Sequence, residues 1–153
     1  MGAAMKKTVT WVLVADAARA RILRNEGPGR GIEREVVREF AQDIPPGREI
    51  MADRPGRGFE SANPGRHAME PSSDPREVEA TRFLREIVAY LEKANTGRAF
   101  DRLVLVAPPA ALGTLRAQVS KPLAAKVTGQ LNKDLTHVPV HDMAKHLEDV
   151  MRV

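Results

Sequence analysis

Thr8 to Asn25 reads T-V-T-W-V-L-V-A-D-A-A-R-A-R-I-L-R-N, and the way this stretch pairs with itself decides the fold. Thr8 to Ala15 is β-branched and aromatic, of strand length, and apolar at nearly every position from Val12 onward. That pattern belongs to a strand covered on both faces. Asp16-Ala17-Ala18 predicts a tight turn, after which Ala18 to Asn25 alternates small or apolar residues with arginine. Such a period of two is that of a second strand with one wet face. A helix is the alternative there, because alanine and arginine are good helix formers. Gly27-Pro28-Gly29 breaks the chain, and Ile32 to Phe40 (I-E-R-E-V-V-R-E-F) offers a third strand. The three together predict an antiparallel meander.

The later half alternates helix and strand. Asp74-Pro75-Arg76-Glu77 is a helix start, with aspartate as cap, proline at the first helical position and glutamate placed to complete a capping box. Leu84, Ile87, Val88 and Leu91 follow at helical spacing, and Asn95-Thr96-Gly97 supplies the stop. Phe100 to Ala107 reads as a buried strand closed by Pro108-Pro109, and Leu112, Leu115 and Val119 stripe a second helix ended by Pro122. Ala125 to Leu131 is a fifth strand, and Val140 to Met151, with Met143, Leu147 and Val150 on one side, a closing helix. The expectation is a single α/β domain over residues 8–153, preceded by a disordered 1–7. Its mixed five-stranded sheet joins the meander to two parallel strands through right-handed crossovers, with three helices.

Between these halves the pattern collapses. Pro45 to Pro75 holds 10 of the chain's 22 glycines and prolines, so an extended loop is expected at 43–75. Structureless stretches of this length inside a domain are uncommon and are usually either functional or disordered. Folded back on itself, such a loop reaches up to ~50 Å, against a radius of gyration of roughly 15 Å for the body. It carries Arg48, Arg54, Arg57, Arg66 and Arg76 against Glu49, Asp53, Glu60, Glu70 and Asp74, so it is nearly neutral. The turn Pro-Gly-Arg occurs twice in it, at Pro55-Gly56-Arg57 and Pro64-Gly65-Arg66. Each turn would present backbone amides beside a guanidinium, a way to meet phosphate oxygens. Phe59 lies between the turns and is suited to stack on a base, and His67 follows the second. The opposing reading is a solvated loop whose arginines pair with its own acids.

Composition bounds the remaining chemistry. The chain has 153 residues with 24 basic and 20 acidic side chains, a formal net charge of +4, and 17 of the cations are arginine. Arginine favours forked contacts with phosphate, although a GC-rich genome writes Ala, Arg, Gly and Pro for mutational reasons alone. There is no cysteine, which excludes disulfides, thiolate nucleophiles and zinc ribbons. No apolar run approaches the ~20 residues of a membrane helix, and no secretory signal is read at Met1 to Lys7, so a cytoplasmic protein without a membrane is expected. His137 and His141 flank Pro139 and so share no helical face; with His146 they make a weak metal set. Asp16 and Asp101 both border strands, as the acids of two-metal nucleases do, but fall at opposite ends of the sheet. No nucleophile elbow and no phosphate-binding glycine loop is present. No catalytic residue, metal or cofactor is therefore assigned.

Six ordered blocks carry a resemblance. They are T-W-V-L-V-A-D-A-A-R-A-R-I-L (Thr10 to Leu23), D-R-P-G-R-G-F (Asp53 to Phe59), G-R-H-A (Gly65 to Ala68), F-D-R-L-V-L-V-A-P-P (Phe100 to Pro109), L-G-x-L-R (Leu112 to Arg116) and K-D-L-T (Lys133 to Thr136). Together they resemble the bacterial host-attachment protein family, which is similar in turn to the central domain of archaeo-eukaryotic peptide chain release factors. The resemblance implies a ribonuclease H-like sheet and a long loop after the third strand. In release factors that loop carries Gly-Gly-Gln, which helps position water against peptidyl-tRNA. Here the tripeptide is missing, and the one Gly-Gln, Gly129-Gln130, falls in the fifth strand. What the resemblance leaves is docking on ribosomal RNA or tRNA. Arg48, Arg54, Arg57 and Arg66 would meet phosphates, Gly56 and Gly65 would form the turns, and Phe59 or His67 would lie near a base. A protein-binding adaptor with an indirect part in attachment is the second reading. A peptidyl-tRNA hydrolase, with the Pro-Gly-Arg turns as water or oxyanion contacts and His67 as base, is the third.

Overall fold

The structure is a computed structural model that describes residues 7–42 and 74–153. The eight candidate contacts Arg48, Arg54, Gly56, Arg57, Phe59, Gly65, Arg66 and His67 lie outside the described residues, as do the 43–73 part of the expected loop and residues 1–6 of the expected disordered start.

Thr10–Ala15 forms β1, buried at every position. It pairs antiparallel with β2 (Arg19–Asn25) and parallel with β4 (Arg102–Ala107), so it is screened on both edges and both faces. β2 pairs antiparallel with β3 (Arg38–Ala41) and β4 pairs parallel with β5 (Val127–Asn132), giving the order β3-β2-β1-β4-β5. This is the expected mixed sheet: a three-strand meander plus two parallel strands. The alternation of Ala18 to Asn25 is that of a strand, with Ala20 and Ile22 turned to one face and Leu23 to the other.

Each face carries its own core. On one side Trp11, Leu13, Ile22 and Leu105 pack against Phe83, Leu84, Ile87, Val88 and Leu91 of α1 (Pro75–Thr96). On the other, Val12, Val14, Val104 and Val106 pack against Leu135, Met143 and Leu147. Met143 belongs to α4 (Val140–His146). The side chains of a strand alternate across the sheet, so β1 and β4 feed both layers and need apolar residues at every position.

Three boundaries differ from the sequence reading. The third strand is confined to Arg38–Ala41, because the chain from Ile32 to Val37 meets β2 through isolated backbone bonds, Glu33 N to Arg24 O at 2.9 Å and Val37 N to Ile22 O at 2.8 Å. Ile32 and Val36 still pack on the second core, four residues apart rather than two. Pro122 starts a helix rather than ending one. α2 (Pro109–Gln118) stops ahead of Ser120, whose hydroxyl caps α3 (Lys121–Ala124) by accepting from Leu123 N, with Pro122 in the first turn. The described residues therefore hold four helices where three were expected. α4 ends at His146, five residues before the expected Met151; turns then bring Val150 and Met151 onto the second core. Among the described residues no helix is long and apolar enough to cross a membrane.

The aspartate cap and the proline at the start of α1 are as expected, and they fix where the segment 43–73 rejoins the body. The Asp74 carboxylate accepts from Arg76 N at 2.9 Å, and Pro75 sits in the first turn. Asp74→Ala is expected to cost about 1 kcal/mol through the lost cap, read as a lower midpoint in chemical denaturation. Asp74→Asn, which keeps the acceptor, should recover most of it.

Candidate nucleic-acid interface

The three parallel strands β1, β4 and β5 all end at one edge of the sheet, where β1 is flanked by antiparallel β2 and parallel β4. In open α/β sheets ligands bind outside the carboxyl ends of the strands. Asp16 lies at this edge directly after β1. Its Oδ1 accepts from Ala18 N and Arg19 N, both at 2.8 Å, while Asp16 N donates to Arg19 O at 2.9 Å. The side chain thus builds the β1–β2 turn that the sequence placed at Asp16-Ala17-Ala18. The second oxygen of Asp16 lies 3.1 Å from the buried Thr136 hydroxyl, whose single proton goes to the nearer Asp134 oxygen.

Thr136 arrives from the segment after β5. Its hydroxyl lies 2.7 Å, and its amide 3.1 Å, from Asp134 Oδ1. The Thr136 hydroxyl bond holds the Asp134 carboxyl below the usual carboxylate range, against a smaller opposing effect of desolvation; the Thr136 amide, His137 and Arg19 add to the lowering. Ligand atoms of Asp16, Asp134 and His137 all lie within 4.8 Å of one another, so these three are the described residues able to share a metal ion. His141, by contrast, faces Asp142 at 3.7 Å on α4. Asp101 is at the far end of the sheet, accepting from Val9 N at 2.8 Å, so Asp16 and Asp101 form no pair.

Two arginines line the same edge on β2. Arg21 Nη2 donates to the carbonyls of Leu135 (3.3 Å) and Val138, tying β2 to the segment that carries Thr136. Its Nε is buried and has no hydrogen-bond partner. Burial lowers the Arg21 guanidinium from its ordinary pKa, and Glu39 opposite on β3 counters this. Arg19 is exposed. Beside both arginines runs a groove of about 500 Å³ lined by Arg19, Arg21, Glu39, Phe40, Gln42 and Thr136.

Gln42 is the last described residue before the segment 43–73, and its Nε2 donates to Ala17 O and to Glu79 O, both at 3.1 Å. One amide therefore clamps the exit of that segment to the β1–β2 turn and to the first turns of α1, where the segment returns. Sequence reasoning found Asp16 and His137 singly and passed over Arg19, Arg21, Gln42, Asp134 and Thr136 as site residues. The available signal was the block K-D-L-T (Lys133 to Thr136), an Asp-x-Thr spacing that places a hydroxyl back on its own carboxylate. Gly129-Gln130 lies in β5, and a Cβ on Gly129 would come within 2.9 Å of the Val150 carbonyl oxygen, so this dipeptide serves packing.

Residues 11–147 match the family model described as "Protein required for attachment to host cells". No curated protein matches the chain. Among solved structures the chain is similar to an archaeal translation termination factor, aRF1, with 11% identity, a TM-score of 0.53, and coverage of 94% of this chain and 35% of that one. A second structure, described as an archaeal protein, is 11% identical with a TM-score of 0.50 and the same coverage of 94% and 35%. The chain thus spans about a third of the length of either neighbour, and the likeness is one of fold.

Proposed function

The chain belongs to the family of proteins required for attachment to host cells, and from that premise we propose that it is a release-factor-like module that docks on ribosomal RNA or tRNA in the cytoplasm. The observation that carries this reading is the Gln42 clamp. It ties the residue that precedes segment 43–73, whose sequence holds Pro-Gly-Arg twice, to the β1–β2 turn and to the first turns of α1, the helix that follows the segment. Arg48, Arg54, Arg57 and Arg66 serve as phosphate contacts, Gly56 and Gly65 as turn formers, and Phe59 and His67 as groups near a base. The fold likeness to a termination factor supports a ribosomal partner, while the missing Gly-Gly-Gln favours docking over ester hydrolysis. Docking without chemistry is the activity we assign. The test is crosslinking of the native protein in cells followed by recovery of bound RNA. Ribosomal RNA or tRNA is expected with the parent chain and is expected to disappear when Arg54, Arg57 and Arg66 become alanine; equal recovery from both would refute the reading.

A further inference from the structure

We infer that a pocket at the amino ends of the parallel strands, at the opposite end of β1 from Asp16, is a seat for a phosphate monoester. Its floor is the sheet: Thr8 ahead of β1, Thr10 of β1, Arg102 of β4 and Thr128 of β5 all line it. Thr10 pairs with Arg102, and strand alternation turns both toward the face that carries Val12 and Val104. The walls come from two segments that close over this face. Asn25 at the end of β2 donates through Nδ2 to Gly31 O at 2.8 Å and accepts on Oδ1 from Gly27 N at 3.0 Å, which folds Gly27-Pro28 over one side. Gly31 N in turn donates to Val153 O at 2.9 Å. On the other side the chain after α4 brings in Val150, Met151 and Arg152, seated on β5 because Gly129 has no Cβ to meet the Val150 carbonyl oxygen. The walls are thus held by bonds that leave the polar groups of the floor free.

Thr10 is only 5% exposed, and its hydroxyl has no hydrogen-bond partner among the described residues. A buried hydroxyl left unpaired is costly, so Thr10 calls for a partner inside the pocket. Arg102 and Arg152 are exposed, reach the pocket from floor and wall, and form no ion pair among the described residues. No described carboxylate lines it. Of the acids beside the lining residues in sequence, Glu26 is held by Lys7 Nζ at 2.9 Å and Arg24 Nη2 at 2.7 Å, and Asp101 by the Val9 amide at 2.8 Å. Asp149, next to Val150, is exposed outside the lining. Two guanidinium groups and three hydroxyls around a recess without carboxylates select an anion. A phosphate monoester carries close to two negative charges at neutral pH, matching two unpaired cations better than a phosphodiester with one. The volume of about 220 Å³ is below the roughly 300–1,000 Å³ of sites for drug-sized ligands, so the phosphoryl group enters with at most a sugar behind it. Pro28, Val150 and Met151 offer apolar surface to that sugar.

The test is an amide-resolved NMR titration of the whole chain with ribose 5-phosphate, inorganic phosphate and dimethyl phosphate. Ribose 5-phosphate should saturate, with shifts centred on Thr10, Gly27, Arg102 and Thr128, and bind more tightly than either other probe. Arg102→Ala and Arg152→Ala should each weaken it about tenfold, from one lost charge-assisted contact. Thr10→Val keeps the shape and the β-branch, so the fold should hold while affinity drops about tenfold with the lost hydroxyl. Inorganic phosphate binding as tightly or more tightly would overturn the ester in favour of the free ion. Dimethyl phosphate binding as tightly or more tightly would overturn the doubly charged ligand in favour of a phosphodiester. No saturation, shifts elsewhere, or an affinity indifferent to all three substitutions would overturn the seat itself. No residue of segment 43–73 and no step of the RNA-docking reading enters, so the two proposals fail separately.

Discussion

Replacing Arg54, Arg57 and Arg66 together by alanine is expected to weaken association with ribosomal RNA by roughly a thousandfold at low salt. Each hydrogen bond from a charged group contributes about 1.5–3 kcal/mol, and even the low end of that range, three times over, spans three decades of affinity. The salt dependence should change with it. If about four phosphates are neutralised, log affinity falls against log salt with a slope near ~3, and removing three arginines should leave a slope below ~1. The parent chain measured in parallel separates this outcome from a general loss of folding, since its thermal midpoint should be unchanged in the variant. A salt-independent association would mean that contacts other than phosphate hold the complex.

The second large effect concerns the described body itself. Leu13→Ala should cost about 2–5 kcal/mol, a large part of the 5–15 kcal/mol that holds an average domain together. Leu13 is fully buried at the centre of β1, between Ile22 of β2 and Leu105 of β4, with the apolar stripe of α1 above it. Its removal leaves a cavity that four packed elements cannot all close. Urea denaturation of the variant should show a lower midpoint with an unchanged slope. A loss under 1 kcal/mol would mean that α1 does not pack on β1 as described.

Much of this architecture could be read from residues because β1 and β4 are apolar without interruption. Only a central strand with both faces covered demands that, so T-W-V-L-V-A and R-L-V-L-V-A announce the middle of the sheet and the parallel pair. Likewise Asp74-Pro75 announces α1, because a cap and a proline are local and need no tertiary partner. The misread boundaries are those that tertiary contacts decide. Ile32 to Val37 has strand-forming residues but only isolated bonds to β2, and Pro122 is compatible with either an end or a first turn. Ser120, held by the Glu92 carboxylate at 2.6 and 2.8 Å from a distant helix, made that choice.

The sheet-edge cluster was illegible for the same reason. Asp16, Arg21, Gln42 and Thr136 are far apart in the chain, and nothing in any one of them specifies the others. Their meeting follows from strand order: β1 and β5 end at the same edge, and β3 delivers Gln42 there because it runs antiparallel to β2. The loop arginines had the opposite character. They stand out in sequence because glycine and proline crowd around them, and they lie outside the described residues.

On the proposed function the body is a base and segment 43–73 the part that engages RNA. Because the Gln42 side chain reaches both Ala17 O and Glu79 O, the segment's two ends are close enough to be joined by a short Gly-Ser bridge. Ribosome co-sedimentation at low ionic strength, with the parent chain and with that bridged variant lacking residues 44–72, is the direct measurement. If segment 43–73 engages RNA, the variant keeps the parent's thermal midpoint and stays in the supernatant while the parent pellets. A variant that pellets with ribosomes as the parent does would contradict it.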